Sequence, residues 1–286
     1  MLVRYTDADR NVRVLIADTT FVARDAYRRL QCSPLALHLI SQAMTGAILM
    51  VAELKTKGTL SLKFEGSGPA GHITVEANSD GEARGFAGDL NVDIETQDNR
   101  SWFESALGSG LLTVRKRLST TDEIFTSAVE IETGSLAFNL SCFLAKSDQV
   151  PSAMSLICDL DPAQGVKAAG GILIQALPDA NDHILTILED RLATLSKEQW
   201  LGEPVIPIRD LADTLLEGLH PVKLASTELS YRCHCSHERL KRILAALPQS
   251  DLLEMAESDS DTEMLCRFCT KPYVFSRDEI RSLIRA

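Results

Sequence analysis

Polar and apolar residues alternate strictly along "GTLSLKFEG" (58–66). Leu60, Leu62 and Phe64 fall on one face at period two, which predicts a half-buried strand. A second strand is predicted at "NVRVLIAD" (11–18). "HITVEAN" and "EARGFAG" on either side of "SDG" predict a hairpin, because Asp80-Gly81 suits a turn that needs positive φ. Further strands are expected at 111–119, 126–133, 154–160 and 170–177, and helices at 20–31, 34–54 and 135–148. The order is irregular and lacks the βαβ repeat, so the fold class is α+β, with residues 1–177 as a mixed strand and helix domain.

From residue 178 the pattern changes to the helical period. "NDHILTILEDRLATLS" aligns Ile184, Leu188, Leu192 and Leu195, with Asn181 or Asp182 placed to cap the helix. "PIRDLADTLLEGLH" aligns Ile208, Leu211, Leu215 and Leu219, starting at Pro207 and loosening at Gly218. Two short amphipathic helices bury their stripes poorly against each other, so this helical linker, residues 178–231, must lean on a neighbouring surface. Residues 232–286 form a small third unit. In it "SHERLKRILAAL" is a helix with Ser236 as N-cap, "SRDEIRSLI" carries a capping box of Ser276 and Glu279, and "EMLC" and "PYVF" read as two short strands. A weak core with two short helices needs a staple.

Charge and composition narrow the function. A chain of 286 residues with net charge −11 lacks the basic footprint of a general nucleic-acid binder. The N-terminus has no apolar stretch of signal-peptide length, so the expected compartment is the cytoplasm. The apolar segment 33–54 contains His38, Ser41, Gln42, Thr45 and Glu53 and reads as a buried helix, so no membrane partner is expected. In a reducing compartment clustered thiols mean metal or redox chemistry.

Four of the seven cysteines cluster in this way: Cys233 and Cys235 as C-x-C, Cys266 and Cys269 as C-x2-C. Four soft thiolates suit one tetrahedral Zn2+ per chain in the reduced state. Two readings share these ligands. The site either only holds the unit together, or its thiolates, the oxidisable form of cysteine, also sense oxidants. Loss of Cys266 and Cys269 to oxidation would leave too few ligands, and the unit would lose its fold.

Resemblance favours the second reading. "EGSGPAGHITVEANSDGEARGF" (65–86), "AKSDQVPS" (145–152), "AAGGILIQALP" (168–178), "CHCSHER" (233–239) and "CRFCTKPYVF" (266–275) resemble the redox-regulated thirty-three-kilodalton heat-shock chaperone family along nearly the whole chain. The resemblance implies a chaperone, not an enzyme, that binds unfolded clients without ATP. It implies that Cys233, Cys235, Cys266 and Cys269 bind zinc when reduced. Oxidation to the disulfides Cys266–Cys269, then Cys233–Cys235, would release zinc and unfold the switch and the linker. It also implies a homodimer when activated and hand-over of clients to an ATP-dependent seventy-kilodalton chaperone system. The residues between the cysteine pairs match only in pattern, so the oxidation threshold does not carry over.

The main alternative is a thiol–disulfide oxidoreductase using Cys266 and Cys269, which would need a low-pKa thiol at a helix N-terminus, whereas strand-like "PYVF" follows. A zinc-ribbon nucleic-acid module is opposed by nine acids and nine bases over 231–286. "GSGPAG" (66–71) has dinucleotide-loop spacing but runs into a strand, so it reads as a glycine-rich turn. Gly170-Gly171 reads as a place of close strand packing. Cys32, Cys142 and Cys158 lie in apolar settings and read as buried, unreactive thiols, and His234 reads as solvent-facing.

Overall fold

The computed structural model describes all residues except 95–100, 133, 162–164, 179, 181, 196–207 and 285–286. The chain divides into two compact units, Met1–Tyr231 and Arg232–Ala286.

The first unit is organised by two sheets and one apolar helix. Strands β1 (Leu2–Thr6), β2 (Val12–Asp18), β8 (Ser152–Asp161), β9 (Gly165–Ala176) and β10 (Val222–Thr227) form an antiparallel sheet in the order β10-β1-β2-β9-β8. Strands β3 (Gly58–Gly66), β4 (His72–Asn78), β5 (Glu82–Ala87), β6 (Gly110–Leu118), β7 (Ile124–Glu130) and β11 (Ser230–Tyr231) form a second sheet in the order β11-β5-β4-β3-β6-β7. Helices α1 (Thr20–Leu30), α2 (Pro34–Val51), α3 (Trp102–Leu107) and α4 (Leu136–Lys146) complete the layers.

Helix α2 starts where Ser33 accepts a hydrogen bond from the Ala36 N–H, with Pro34 in the first turn. It is apolar all round because strands of both sheets pack on it. Among the described residues it is the one helix long and apolar enough to cross a bilayer, and 83% of that stretch is buried inside the protein. Leu60, Leu62 and Phe64 on β3 are fully buried, as their period-two spacing predicts. At the β4–β5 hairpin Gly81 takes φ +85°, and a Cβ there would lie 2.0 Å from the Glu228 carbonyl oxygen. Gly171 on β9 allows a close approach as well, since its Cβ would lie 2.7 Å from both Leu156 Cδ2 and Thr45 Cγ2. The "GSGPAG" segment is a turn closed by Gly66 N–H to the Gly71 carbonyl at 2.8 Å, and it leads into β4.

The five-stranded sheet carries two cores. One face joins the main core around α2. The other, with Val3, Tyr5, Val12, Val14, Ile16, Ile172 and Ile174, is covered by helices α5 (Asp182–Thr194) and α6 (Ile208–Leu215). Ile184, Leu188, Leu192, Leu211, Ala212, Leu215 and Leu216 supply the cover. This is the neighbouring surface that the amphipathic stripes require. The Arg191 guanidinium donates to the Leu215 and Glu217 carbonyls at 2.8 and 2.9 Å and ties the two helices together. The predicted cap at Asn181 and the start at Pro207 lie outside the described residues.

Some expectations shift. The strand expected at 126–133 runs from Ile124 to Glu130, because a turn with Asp122 at φ +59° starts it earlier. The helix expected to reach residue 54 ends at Val51. Segment 178–231 is not purely helical, since β10 zips onto β1 at a sheet edge.

Candidate metal centre

The second unit is built around a hairpin and three helices: α7 (His237–Leu244), α8 (Gln249–Glu257), β12 (Thr262–Leu265), β13 (Pro272–Phe275) and α9 (Arg277–Arg281). The sequence reading expected two helices, and α8 is the addition. Ser236 Oγ accepts from the Arg239 N–H and starts α7, while Ser276 and Glu279 form the complete capping box of α9. The core is small: Leu240, Leu244, Leu252, Ala256, Tyr273, Phe275 and Ile280, with Cys266 at its edge.

β12 and β13 pair antiparallel from Thr262↔Phe275 to Leu265↔Pro272, and the C-x2-C segment is the turn between them. The Cys266 N–H donates to the Lys271 carbonyl, and the Cys266 carbonyl accepts from the N–H groups of Cys269 and Thr270, at 3.0, 3.2 and 2.7 Å respectively. Thr270 closes the turn at φ +55°. These bonds aim both thiols to one side, where the extended residues before α7 bring Cys233 and Cys235. Cys233 Sγ lies 3.6 Å from Cys266 Sγ, and Cys235 Sγ lies 3.4 Å from Cys269 Sγ.

All four sulfurs fall within 4.8 Å of one another. A tetrahedral ion with bonds of about 2.3 Å places its sulfurs about 3.8 Å apart, so the four thiols fit a metal ion without rearrangement. The sequence-predicted set is therefore brought together in space, though one pair stands at the start of the unit and the other in a hairpin turn more than thirty residues later.

The thiols differ electrically. Burial raises the Cys235 thiol, but hydrogen bonds from Tyr273 and the three neighbouring thiols outweigh it and bring it down to about 7. Tyr273 Oη donates to Cys235 Sγ at 3.1 Å, which in turn pushes the phenol up to about 12. Burial raises Cys266 and Cys269. A cation bound among the four sulfurs would hold all of them as thiolates.

Tyr273 escaped the sequence reading. Its signal was the alternation in "PYVF", which turns Tyr273 and Phe275 to the core side. His234 is exposed, and His237 stacks on Phe275 at 4.3 Å with its Nε2 3.2 Å from the Val274 carbonyl oxygen. Of the other thiols, Cys32 and Cys158 are buried and Cys142 is half-buried. Burial holds the Cys32 thiol up at about 11.

Fold and centre define a class: an α+β protein whose small C-terminal unit gathers four thiols into a metal-type cluster. The family model described as Hsp33 protein matches residues 1–276, and the chain belongs to that family. The "33 kDa chaperonin" of Desulforamulus reducens is 32% identical over 285 residues, which cover 99% of this chain and 97% of the relative. The protein of the same name from Geobacter sulfurreducens is 33% identical over 283 residues, with coverage of 99% and 94%. The crystal structure of the 33 kDa chaperonin (heat shock protein 33 homolog) of Thermotoga maritima is similar at a TM-score of 0.86 and 27% identity, covering 99% of this chain and 97% of that one. Family membership supports a chaperone role for the chain.

Proposed function

We propose that the protein is a redox-regulated, ATP-independent holdase of the cytoplasm. Cys233, Cys235, Cys266 and Cys269 hold one zinc ion in the reduced state, and the single observation that carries the reading is the gathering of these four sulfurs within 4.8 Å. When bound, the ion supplies a four-way cross-link and keeps the thiols as thiolates, a contribution worth about 10–16 kcal/mol in small zinc modules.

The residues supply the rest. Two electrons leave Cys266 and Cys269 as their disulfide forms, and two more leave Cys233 and Cys235. A peroxide accepts each pair with two protons and is reduced to water. The bridged sulfurs no longer offer thiolate lone pairs, and the start of α7 comes free of the β12–β13 hairpin. A core of so few buried side chains does not hold the unit folded alone.

The linker, residues 178–231, then loosens, and its helices α5 and α6 detach from the face of the five-stranded sheet. The uncovered Val3, Tyr5, Val12, Val14, Ile16, Ile172 and Ile174 form an apolar surface for unfolded clients, and the contact is non-directional. By family resemblance the activated protein is a homodimer and passes clients to an ATP-dependent seventy-kilodalton system. The buried Cys266 and the strand that follows Cys269 support this reading over a thiol–disulfide exchange enzyme.

The test follows zinc release alongside suppression of light scattering by a thermally unfolding client, with and without peroxide at raised temperature. Both responses are expected to rise together in the wild type. Cys266→Ser should bind zinc weakly and lose oxidant control, and wild-type zinc affinity and redox response in that variant would overturn the ligand assignment.

A further inference from the structure

The chain leaves the first unit at Tyr231, two residues before Cys233. Behind Tyr231 runs a strap. After α6 the backbone turns at Gly218 and His220, at φ +78° and +53°. It then pairs as β10 with β1, crosses to the other sheet and pairs as β11 with β5.

The strap is weakly held along its length. Among the described residues, none from Glu217 to Ser230 is buried. Val222 and Leu224 on β10 are 46% and 56% exposed, and the pairing with β1 shifts register between Arg4 and Tyr5. Backbone hydrogen bonds open to water, with little apolar burial behind them, fray readily from a loose end.

Tyr231 is the exception. It is 4% exposed and belongs to the main core around α2. Its Oη donates to the Gly85 carbonyl at 3.4 Å, and the Arg29 guanidinium lies 5.5 Å from the centre of its ring. Beside it the Ser230 N–H donates to the Gly81 carbonyl at 3.0 Å. Back along the chain the next buried side chain is Leu216, which already belongs to the cover over the five-stranded sheet. One aromatic ring therefore stands between the metal unit and that cover.

We infer that Tyr231 is a stop that keeps unfolding of the metal unit from running back into α5 and α6. While the metal unit is folded, the chain is held on both sides of Tyr231. Once that unit unfolds, the chain beyond Arg232 is loose, and fraying toward α6 must first draw Tyr231 out of the main core. With the ring out, β10 resists little. The bond from the Ala8 N–H to the Leu219 carbonyl, at 3.1 Å, and the Leu215–Leu216 end of the cover come next. Metal loss and cover release are thus two steps, and the burial of Tyr231 sets the temperature of the second. The inference rests on the redox reading for the event that unfolds the metal unit.

The test oxidises the full chain with peroxide well below the melting temperature of the first unit and follows zinc release with a chelating dye. Hydrogen exchange in β10, α5 and α6 is read before and after warming. In the wild type a lag is expected: zinc leaves while all three stay protected, and β10 opens on the same warming step as α5 and α6. Tyr231→Ala should lose this lag and open all three as zinc leaves, without warming. Their exchange should then be about a hundredfold or more faster than in the oxidised wild type, the factor for truncating a buried aromatic side chain. With zinc bound, the same variant should protect α5 and α6 as the wild type does, because the folded metal unit still holds the chain beyond the strap. Tyr231→Phe keeps the ring and should keep the lag. Leu62→Ala, a loss elsewhere in the main core, should lower overall stability and also keep the lag.

The proposal is overturned if Tyr231→Ala retains the wild-type lag or if Leu62→Ala abolishes it too. It is also overturned if wild-type β10 opens at zinc release while α5 and α6 stay protected, and this measurement decides alone where Tyr231→Ala does not fold. The two readings fail separately. Cover opening at the moment of zinc loss, in wild type and Tyr231→Ala alike, removes the stop and leaves the redox reading standing. A wild-type cover that outlasts zinc loss at every temperature below the melting of α2, yet opens in oxidised Tyr231→Ala, keeps the stop and removes the redox reading.

Discussion

Truncating Leu188 to alanine asks whether the α5–α6 cover opens separately from the scaffold beneath it. Leu188 is 0% exposed and belongs to the cluster that joins these helices to the sheet face of Val14, Ile16 and Ile172. A buried leucine cut to alanine costs about 2–5 kcal/mol, and every 1.4 kcal/mol is about tenfold in an equilibrium. The opening constant of the cover should therefore rise by about thirty- to four-thousand-fold. Native-state hydrogen exchange reads it directly: amides of α5 and α6 should exchange faster by that factor, while amides of α2 should change only as far as global stability falls. The control is Leu62→Ala, equally buried but in the main core, which should lower global stability without selectively loosening α5. Reduced Leu188→Ala should also suppress client scattering partly without oxidant, and reduced Leu62→Ala should not. If α5 and α2 amides respond in parallel to Leu188→Ala, cover and scaffold are one cooperative unit, and the release step is wrong.

Tyr273→Phe removes the donor to Cys235 Sγ and should lower zinc affinity by about 10- to 100-fold in a competition titration, since such outer partners orient a ligand and tune its charge. Ser236→Ala removes the N-cap of α7 at a cost of about 1 kcal/mol. Folding and metal binding are linked in so small a unit, so chelator competition should register that loss as roughly fivefold weaker zinc binding. Gly171→Val forces a branched side chain against Leu156, Thr45 and Leu49 and should destabilise the first unit by about 1–3 kcal/mol in denaturant unfolding, leaving zinc affinity unchanged.

What the sequence made legible was local. The alternation of β3, the Asp80-Gly81 turn, the caps at Ser236 and Ser276, and the cysteine spacing each depend on residues within a few positions of one another. What stayed hidden depends on partners far along the chain. β1 is five residues with Arg4 at its centre, and it is a strand because β2 and β10 flank it. "VKLAST" becomes β10 because the edge of β1 is free to receive it, which nothing in its own pattern reveals. The stripe of Ile184, Leu188 and Leu192 announced that a surface was needed, but only the topology supplies that surface. α8 starts after Pro248 without a side-chain cap hydrogen bond, so it lacks the signal that marked α7 and α9.

The two cores explain why such a chain could lose its cover and still serve as a scaffold. The main core wraps α2 with β3, β4, β5, β8 and β9, and among the described residues its buried side chains include none from α5 or α6. Stripping the cover therefore removes partners from one sheet face only, and each side chain left there forfeits its own burial, about 1.5–3 kcal/mol for a valine or isoleucine, without opening α2 to water. The C-terminal unit has no such reserve. Its buried residues are few, and two of its thiols enter from the extended residues before α7 while two come from a hairpin turn more than thirty residues later. A cross-link there closes a long loop, and its loss is felt by every element between the two ends. On the proposed redox reading, the unit held by so few buried side chains unfolds under conditions that the larger core of the first unit withstands.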